Sequence, residues 1–157
     1  MEIKVLKDIM GANEALARKN QERLDFHHIL AINVMSSPGS GKTSLVMQTI
    51  RRLKSTVRIA VIEGDVASSI DADRVHTEGV PVIQINTGGG CHLDANMTEN
   101  ALNALPLAEI DLLIIENVGN LICPAEFALG EHKKVMLLSI PEGDDKPHKY
   151  PLMFSEA

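Results

Sequence analysis

The sequence predicts an α/β fold: a mainly parallel sheet with helices on both faces, preceded by an N-terminal helix. Two observations support this prediction. Short apolar runs rich in β-branched residues alternate with amphipathic segments along the chain. In addition, polar and glycine-containing clusters follow directly after these runs. Because ligands bind at the carboxyl ends of parallel strands, we expect these clusters to share one edge of the sheet.

The helices are predicted from the spacing of apolar residues. In residues 2–26 this spacing, with Lys, Glu and Arg between, is typical of an amphipathic helix, with apolar positions Val5, Leu6, Ile9, Met10, Leu16 and Leu24. In residues 43–54 one face carries Leu45, Ile50 and Leu53. The remaining helices are predicted over residues 71–78 and 93–105.

The strands are predicted from continuous apolar runs, which are typical of strands buried on both faces. Five such runs occur, at residues 29–35, 57–62, 80–85, 112–115 and 134–140. The third has a Pro near its start, which a strand tolerates. The last segment, residues 141–157, contains three Pro and is predicted to be irregular.

Length and composition limit the possible classes of protein. A chain of 157 residues has room for one domain, here 29–157, after a helical segment over 1–28. With 21 acidic and 15 basic residues, the net charge of −6 argues against a broadly basic nucleic-acid binder. No apolar run approaches the ~18 residues of a membrane span, and the N-terminus lacks the features of a secretory signal. Two cysteines are too few for a disulfide scaffold, so a cytoplasmic location is expected, with neither nucleic acid nor membrane as a partner.

A phosphate-binding loop is predicted between the first strand and the second helix. Residues 36–43 read Ser-Ser-Pro-Gly-Ser-Gly-Lys-Thr and match the P-loop pattern except that Ser36 replaces the first Gly. Small residues let backbone N–H groups surround phosphates at a helix N-terminus, while Lys42 reaches the β- and γ-phosphates. A P-loop NTPase domain follows, with nucleotide contacts from Ser37, Pro38, Gly39, Ser40, Gly41, Lys42, Thr43 and Ser44.

Carboxylates for Mg²⁺ are expected at the ends of two strands. The Thr43 hydroxyl is one ligand, and Asp65 and Glu116 are the candidates for the others. Together with Lys42, these two carboxylates are the predicted catalytic groups. A carboxylate at the end of an apolar strand is costly unless it is satisfied, which favours a role for Glu116. Asp65 fits a turn or helix cap equally well. The backbone N–H of Gly119 is predicted to contact the γ-phosphate.

A second candidate site combines thiol and imidazole groups. Cys91 and His92 are adjacent in a glycine-rich loop, and Cys123 follows the fourth strand. Such ligands suit Zn²⁺ or Ni²⁺, and three of them leave a position for water or for a second copy of the chain. From the spacing alone, two inert buried thiols and a capping histidine are an equal alternative.

Five motifs in this order resemble the HypB family, nickel-incorporation GTPases of [NiFe]-hydrogenase maturation. They are SSPGSGKT, EGD with DADR, NTGGGCHLDA, IENVGNLICPA and PEGDDKPHKYPLMF. The resemblance extends from the N-terminal helix to the last residues. The chain is more distantly similar to the urease accessory GTPase UreG, whose Cys-Pro-His metal motif differs from Cys91-His92 and Cys123-Pro124 here.

The resemblance implies a cofactor set, partners and a site. GTP or GDP would bind with Mg²⁺ at residues 37–43, Asp65 and Glu116, and nickel or zinc at Cys91, His92 and Cys123. The chain would form a homodimer with nucleotide or metal, interact with a HypA-type nickel chaperone through its N-terminal helix region, and serve the hydrogenase large subunit indirectly.

Two departures from the family pattern bear on activity. An N-terminal cysteine motif and a His-rich stretch are absent, and so is the Asn-Lys-x-Asp motif that recognises guanine. We therefore expect a G domain that lacks its C-terminal part, with weaker choice between GTP and ATP and lower stability. A metal- and partner-binding module with little or no turnover remains the alternative. A small-molecule kinase is disfavoured, because none of the six Arg follows the fourth strand.

Overall fold

Five parallel strands form the sheet of this protein in a computed structural model that describes residues 2–66 and 68–157, with side chains from Met10 onward. The strands are β1 (Leu30–Ser36), β2 (Ile59–Asp65), β3 (Val82–Asn86), β4 (Leu112–Glu116) and β5 (Lys133–Leu137). Their order is β3-β2-β4-β1-β5, and every pairing is parallel. The predicted fold class is confirmed.

Seven helices surround the sheet in the described part of the chain. They are α1 (Glu2–Phe26), α2 (Lys42–Leu53), α3 (Ile70–His76), α4 (Ala95–Ala104), α5 (Cys123–Glu126), α6 (Lys146–Lys149) and α7 (Pro151–Ser155). Short 3₁₀ turns span Leu107–Glu109 and Ile140–Glu142. The predicted N-terminal helix is observed with the same bounds, although its apolar positions Val5, Leu6 and Ile9 lie outside the described side chains.

Each face of the sheet has its own hydrophobic core, because successive strand residues point to opposite faces. On one face Leu113 and Ile115 of β4 lie in a cluster with Leu24 of α1 and Leu102 of α4. On the other face Ile114 lies in a cluster with residues of α2 and α3. Helices therefore cover both faces, as predicted.

The segment after β5 differs from the prediction. The strand ends at Leu137 rather than at residue 140, and residues 141–157 contain two short helices instead of an irregular chain. The physical reason is that Pro141, Pro147 and Pro151 lie in the first turns of helical segments, where a missing N–H costs nothing. Met153 of α7 is fully buried and anchors the segment.

Helix α1 is held by side-chain amides as well as by apolar contacts. The Asn20 amide, which is almost completely buried, donates to the carbonyl oxygens of Ala95 and Leu129 at 2.8 and 2.9 Å. The Asn13 amide donates to Ala128 O at 2.9 Å. Among the described helices, none is both long and apolar enough to cross a lipid bilayer.

Candidate functional site

The phosphate loop connects β1 to α2, as the sequence predicts. Ser36 is the last residue of β1, and Lys42 is the first of α2. Gly39 and Gly41 have positive φ angles of 78° and 99°, which a residue with a β-carbon rarely adopts. Ser36 has no positive φ, so serine is tolerated where the P-loop pattern has glycine.

The predicted magnesium ligands Thr43 and Glu116 are brought together. The Thr43 hydroxyl donates to Glu116 Oε1 at 2.7 Å, although the two residues are 73 positions apart. Lys42 lies beside them, and its ammonium group donates to Ser36 Oγ at 3.2 Å. All three of these predicted site residues are nearly buried. Lys42 and Glu116 also line a cavity of about 270 Å³ at the carboxyl ends of the strands.

Glu63 completes a carboxylate pair that the sequence reasoning missed. It is paired in register with Glu116 on the neighbouring strand, and the two residues are 2% and 4% exposed. Burial, and repulsion by Glu116, raise the pKa of Glu63, and burial also raises the pKa of Glu116. One oxygen of each, Glu63 Oε1 and Glu116 Oε2, has no hydrogen-bond partner. Glu63, like Glu116, directly follows an apolar run of the sequence, so the same cost of burying an unsatisfied carboxylate applies to it.

Asp65 and Gly119 lie at the same cavity. The Asp65 carboxylate accepts backbone N–H groups of Val66 and Ser68, at 2.7 and 3.0 Å, so it closes the turn after β2. Gly119 lies directly against the phosphate loop, because a β-carbon there would be 2.9 Å from Pro38 Cα. The polar loops that the sequence assigns to one edge of the sheet do meet there.

A second residue missed by the sequence reasoning contacts the phosphate loop from the far end of the chain. Glu142, in the 3₁₀ turn after β5, accepts hydrogen bonds from the hydroxyls of Ser37 and Ser40. The PEGDD motif contains this glutamate, but nothing in its spacing relates it to serines about 100 positions earlier.

The predicted metal ligands Cys91, His92 and Cys123 converge in one cluster. Their ligand atoms all lie within 4.8 Å of one another, and all three side chains are half-buried. The two Sγ atoms are 2.7 Å apart, and Cys91 Sγ is 3.6 Å from His92 Nδ1. This convergence favours a shared ligand site over two inert thiols.

The charge states of the cluster depend on burial. Burial lowers the pKa of His92, which keeps its imidazole neutral and able to bind a metal ion. The ring also stacks on Phe127, with centroids 3.9 Å apart. The hydrogen bond with Cys91, and burial, raise the pKa of Cys123 to about 11. Two adjacent thiolates are unfavourable unless a cation lies between them.

Comparison with known sequences identifies relatives of this chain. A family model described as the nucleotide-binding domain of CobW, HypB and UreG matches residues 30–137. Hydrogenase maturation factor HypB of Escherichia coli (strain K12) is 53% identical over 150 residues, covering 96% of this chain and 52% of the relative. A probable hydrogenase maturation factor HypB of Methanocaldococcus jannaschii is 50% identical, covering 94% and 66%. The chain thus spans about half to two thirds of these relatives.

Two solved structures have the same fold. HypB from Helicobacter pylori in complex with nickel superposes with a TM-score of 0.87 at 45% identity, covering 93% of this chain and 69% of that one. HypB from Archaeoglobus fulgidus superposes with a TM-score of 0.86 at 45% identity, covering 94% and 71%. The resemblance to HypB noted from the motifs is confirmed. Since the family model covers all five strands of the sheet together with the phosphate loop, the chain belongs to the CobW/HypB/UreG nucleotide-binding family.

Proposed function

We propose that this chain binds GTP with Mg²⁺, hydrolyses it slowly, and uses that cycle to deliver nickel during [NiFe]-hydrogenase maturation. One observation carries the proposal. Only six residues separate Glu116, whose carboxylate is bonded to the phosphate-loop Thr43, from Cys123, whose thiol belongs to the Cys/His cluster. A phosphate-binding site and a soft-metal site are therefore adjacent on one edge of the sheet.

The phosphate end provides the groups for Mg·GTP. The loop 37–44 would surround the phosphates, with Lys42 compensating the charge of the β- and γ-phosphates. The unpartnered oxygens of Glu63 and Glu116 fit a hard cation, which prefers oxygen ligands. We therefore assign Mg²⁺ to Thr43, Glu116 and Asp65, the last of which lines the same cavity as Glu116. When bound, Mg²⁺ neutralises charge that develops on the phosphates. Asn120 rather than a water-positioning Gln follows Gly119, which fits slow hydrolysis.

The metal end provides three soft ligands for nickel as cargo, with zinc as the alternative metal. Cys91, His92 and Cys123 are half-buried and close enough to bind one ion. Three ligands leave a coordination position open. A second copy of the chain supplies the missing ligand most simply, so we propose that the homodimer forms with metal or nucleotide.

The remaining assignments follow from the relatives, which are named as hydrogenase maturation factors. We propose a HypA-type nickel chaperone as the partner of the helical segment 1–28, with 29–157 as part of a G domain, and the hydrogenase large subunit as the indirect recipient in the cytoplasm.

Binding of nucleotide and metal to the 157-residue chain tests the proposal. Mg·GTP would be titrated in competition with ATP, Ni²⁺ would be titrated separately, and light scattering would follow dimer formation in the same samples. Saturable binding of both ligands and phosphate release from GTP support the proposal. Nickel binding without any nucleotide binding would contradict it.

A metal- and partner-binding module without turnover is the second candidate. The Cys/His cluster favours it, because its three ligand atoms lie within 4.8 Å of one another and all come from outside the phosphate loop. This candidate predicts nucleotide binding that does not distinguish GTP from ATP and no phosphate release above the rate without protein. Guanine-selective turnover would exclude it.

A further inference from the structure

Two asparagines of the segment after β4 join the phosphate loop to the loops of the metal cluster. Asn117 and Asn120 flank Val118 and Gly119, and neither has a role in the proposed chemistry. The backbone N–H of each asparagine donates to a carbonyl oxygen of β1. Its side-chain oxygen accepts hydrogen bonds from a loop that carries a metal ligand.

Asn117 holds the first of these loops. Its backbone N–H donates to Val34 O at 3.0 Å. Its side chain is 1% exposed, and Oδ1 accepts the backbone N–H of Leu93 at 3.1 Å. Leu93 directly follows His92, so this hydrogen bond fixes the backbone next to a metal ligand. The amide group of Asn117 in turn donates to Asn33 Oδ1 at 3.2 Å, which orients the side chain.

Asn120 holds the second loop. Its backbone N–H donates to the carbonyl oxygen of Ser36, the residue at which the phosphate loop starts, at 2.9 Å. Its side-chain Oδ1 accepts the backbone N–H groups of Ile122 and Cys123, at 2.7 and 3.2 Å. One residue thus contacts both the phosphate loop and the backbone of a metal ligand.

The contact between Gly119 and Pro38 makes this connection stiff. No space remains for a β-carbon between them, so a displacement of the phosphate loop must move residues 119 and 120 as well. Packed interiors transmit such displacements because they contain few voids.

We propose that Asn117 and Asn120 are positioning residues through which occupancy of the phosphate site changes the metal affinity of the Cys/His cluster. This inference rests on the proposed function, since it requires that the chain bind both ligands. Coupling between two sites is reciprocal, so metal must change nucleotide affinity by the same factor.

The test is a thermodynamic cycle on the whole chain. The Kd for Ni²⁺ is measured with and without saturating Mg·GDP, which avoids turnover, and the ratio of the two values is the coupling. We expect a ratio of about fivefold or more, at the lower end of typical coupling. In Asn120→Ala the ratio should fall to within about twofold of unity, because Cys123 is no longer held to the loop. Asn120→Asp keeps the acceptor oxygen and should restore the ratio.

Controls separate this role from a loss of folding. Asn100→Ala, an exposed position on α4, should leave the ratio at its original value. Circular dichroism checks that each variant is folded, and thiolate-to-nickel charge-transfer absorption should change in Asn120→Ala but not in Asn100→Ala. Asn117→Ala is compared only if it folds, because it leaves buried partners unpaired.

The outcomes are distinguishable. If the unmodified chain binds nucleotide and nickel with a ratio of unity, the inference is overturned, together with nucleotide control of nickel delivery, whereas the two binding sites of the proposed function stand. An unchanged ratio in Asn120→Ala also overturns it. If the unmodified chain binds no nucleotide, both the proposed function and the inference are overturned.

Discussion

The Ser40 hydroxyl donates a hydrogen bond to the Glu142 carboxylate at 2.8 Å, although 102 residues separate them in sequence. The Ser37 hydroxyl donates to the other oxygen of that carboxylate. Burial raises the pKa of Glu142, but hydrogen bonds from Ser139, Ser37 and Ser40 outweigh it and lower the pKa to about 2. Glu142 does not line the cavities beside the loop. An ionised carboxylate therefore holds the phosphate loop through the hydroxyls of Ser37 and Ser40.

Removing this carboxylate should weaken nucleotide binding. Hydrogen bonds to a charged acceptor contribute about 1.5–3 kcal/mol, and partial exposure reduces that value. We expect Glu142→Ala to raise the Kd for Mg·GDP about tenfold, which corresponds to ~1.4 kcal/mol. Glu142→Gln can still accept one hydrogen bond and donate another, so its Kd should stay within about threefold of the original. Titration with a fluorescent GDP analogue measures both. Equal affinities for the Ala variant and the unmodified chain would refute this role for Glu142.

The buried pair of Glu63 and Glu116 should make the nucleotide-free protein less stable as pH rises. An unfolded glutamate has a pKa of about 4.3, and burial followed by repulsion from Glu116 raises the pKa of Glu63 in the folded state. A raised folded-state pKa makes stability greatest below the unfolded pKa, and that stability is lost as pH rises toward the folded value. Glu63→Gln removes the titrating carboxyl group and therefore this loss of folding stability as pH rises.

The stabilisation by Glu63→Gln should therefore grow between pH 5 and pH 8. Thermal melts in EDTA, without nucleotide, measure it, and we expect the gain at pH 8 to exceed that at pH 5 by at least about 2 °C. Glu22→Gln is the matched control, because Glu22 is exposed on α1. A gain that is the same at both pH values would contradict the raised pKa of Glu63.

Local sequence patterns predict the phosphate loop and the sheet, whereas they do not predict the contacts between residues that are distant in sequence. The motif over residues 36–43 lies between a strand and a helix in sequence, so its structure follows from neighbouring residues. The order of the strands in the sheet does not follow from neighbouring residues, because the same apolar runs are compatible with several strand orders. The contact between Glu142 and Ser37 depends on the pairing of β5 with β1. No spacing in the sequence predicts that pairing.

The remaining differences between the predicted and the observed structure have local causes. The prolines at 141, 147 and 151 predict an irregular segment, but in the first turn of a helix proline is favoured. Glu63 meets the criterion applied to Glu116, since both carboxylates directly follow an apolar run of the sequence and both are buried. The convergence of Cys91 with Cys123, by contrast, follows from both loops being placed at one edge of the sheet.

A methyl group at position 119 should disrupt the phosphate loop. The β-carbon of Gly119→Ala would lie 2.9 Å from Pro38 Cα and 3.0 Å from Pro38 N, and these backbone atoms cannot rotate away. We expect nucleotide affinity to fall more than about tenfold, because a loop displacement that costs ~1.4 kcal/mol of binding free energy is enough for a tenfold change in Kd. Gly11→Ala is the control, since nothing lies within 4 Å there and alanine favours the helix by about 1 kcal/mol. Nucleotide titration of both variants makes the comparison.

The two cysteines should account for metal binding but not for nucleotide binding. A metal ion must displace the thiol protons, and the pKa of Cys123 is raised to about 11 by the hydrogen bond with Cys91 and by burial, so nickel affinity should increase from pH 6 to pH 8. Replacing both with alanine should abolish bound nickel in equilibrium dialysis while the Kd for Mg·GDP stays within about twofold. His148→Ala, at an exposed position, should retain the metal. Unchanged metal stoichiometry in the double variant would exclude these thiols as ligands, and loss of nickel in His148→Ala would place the site elsewhere.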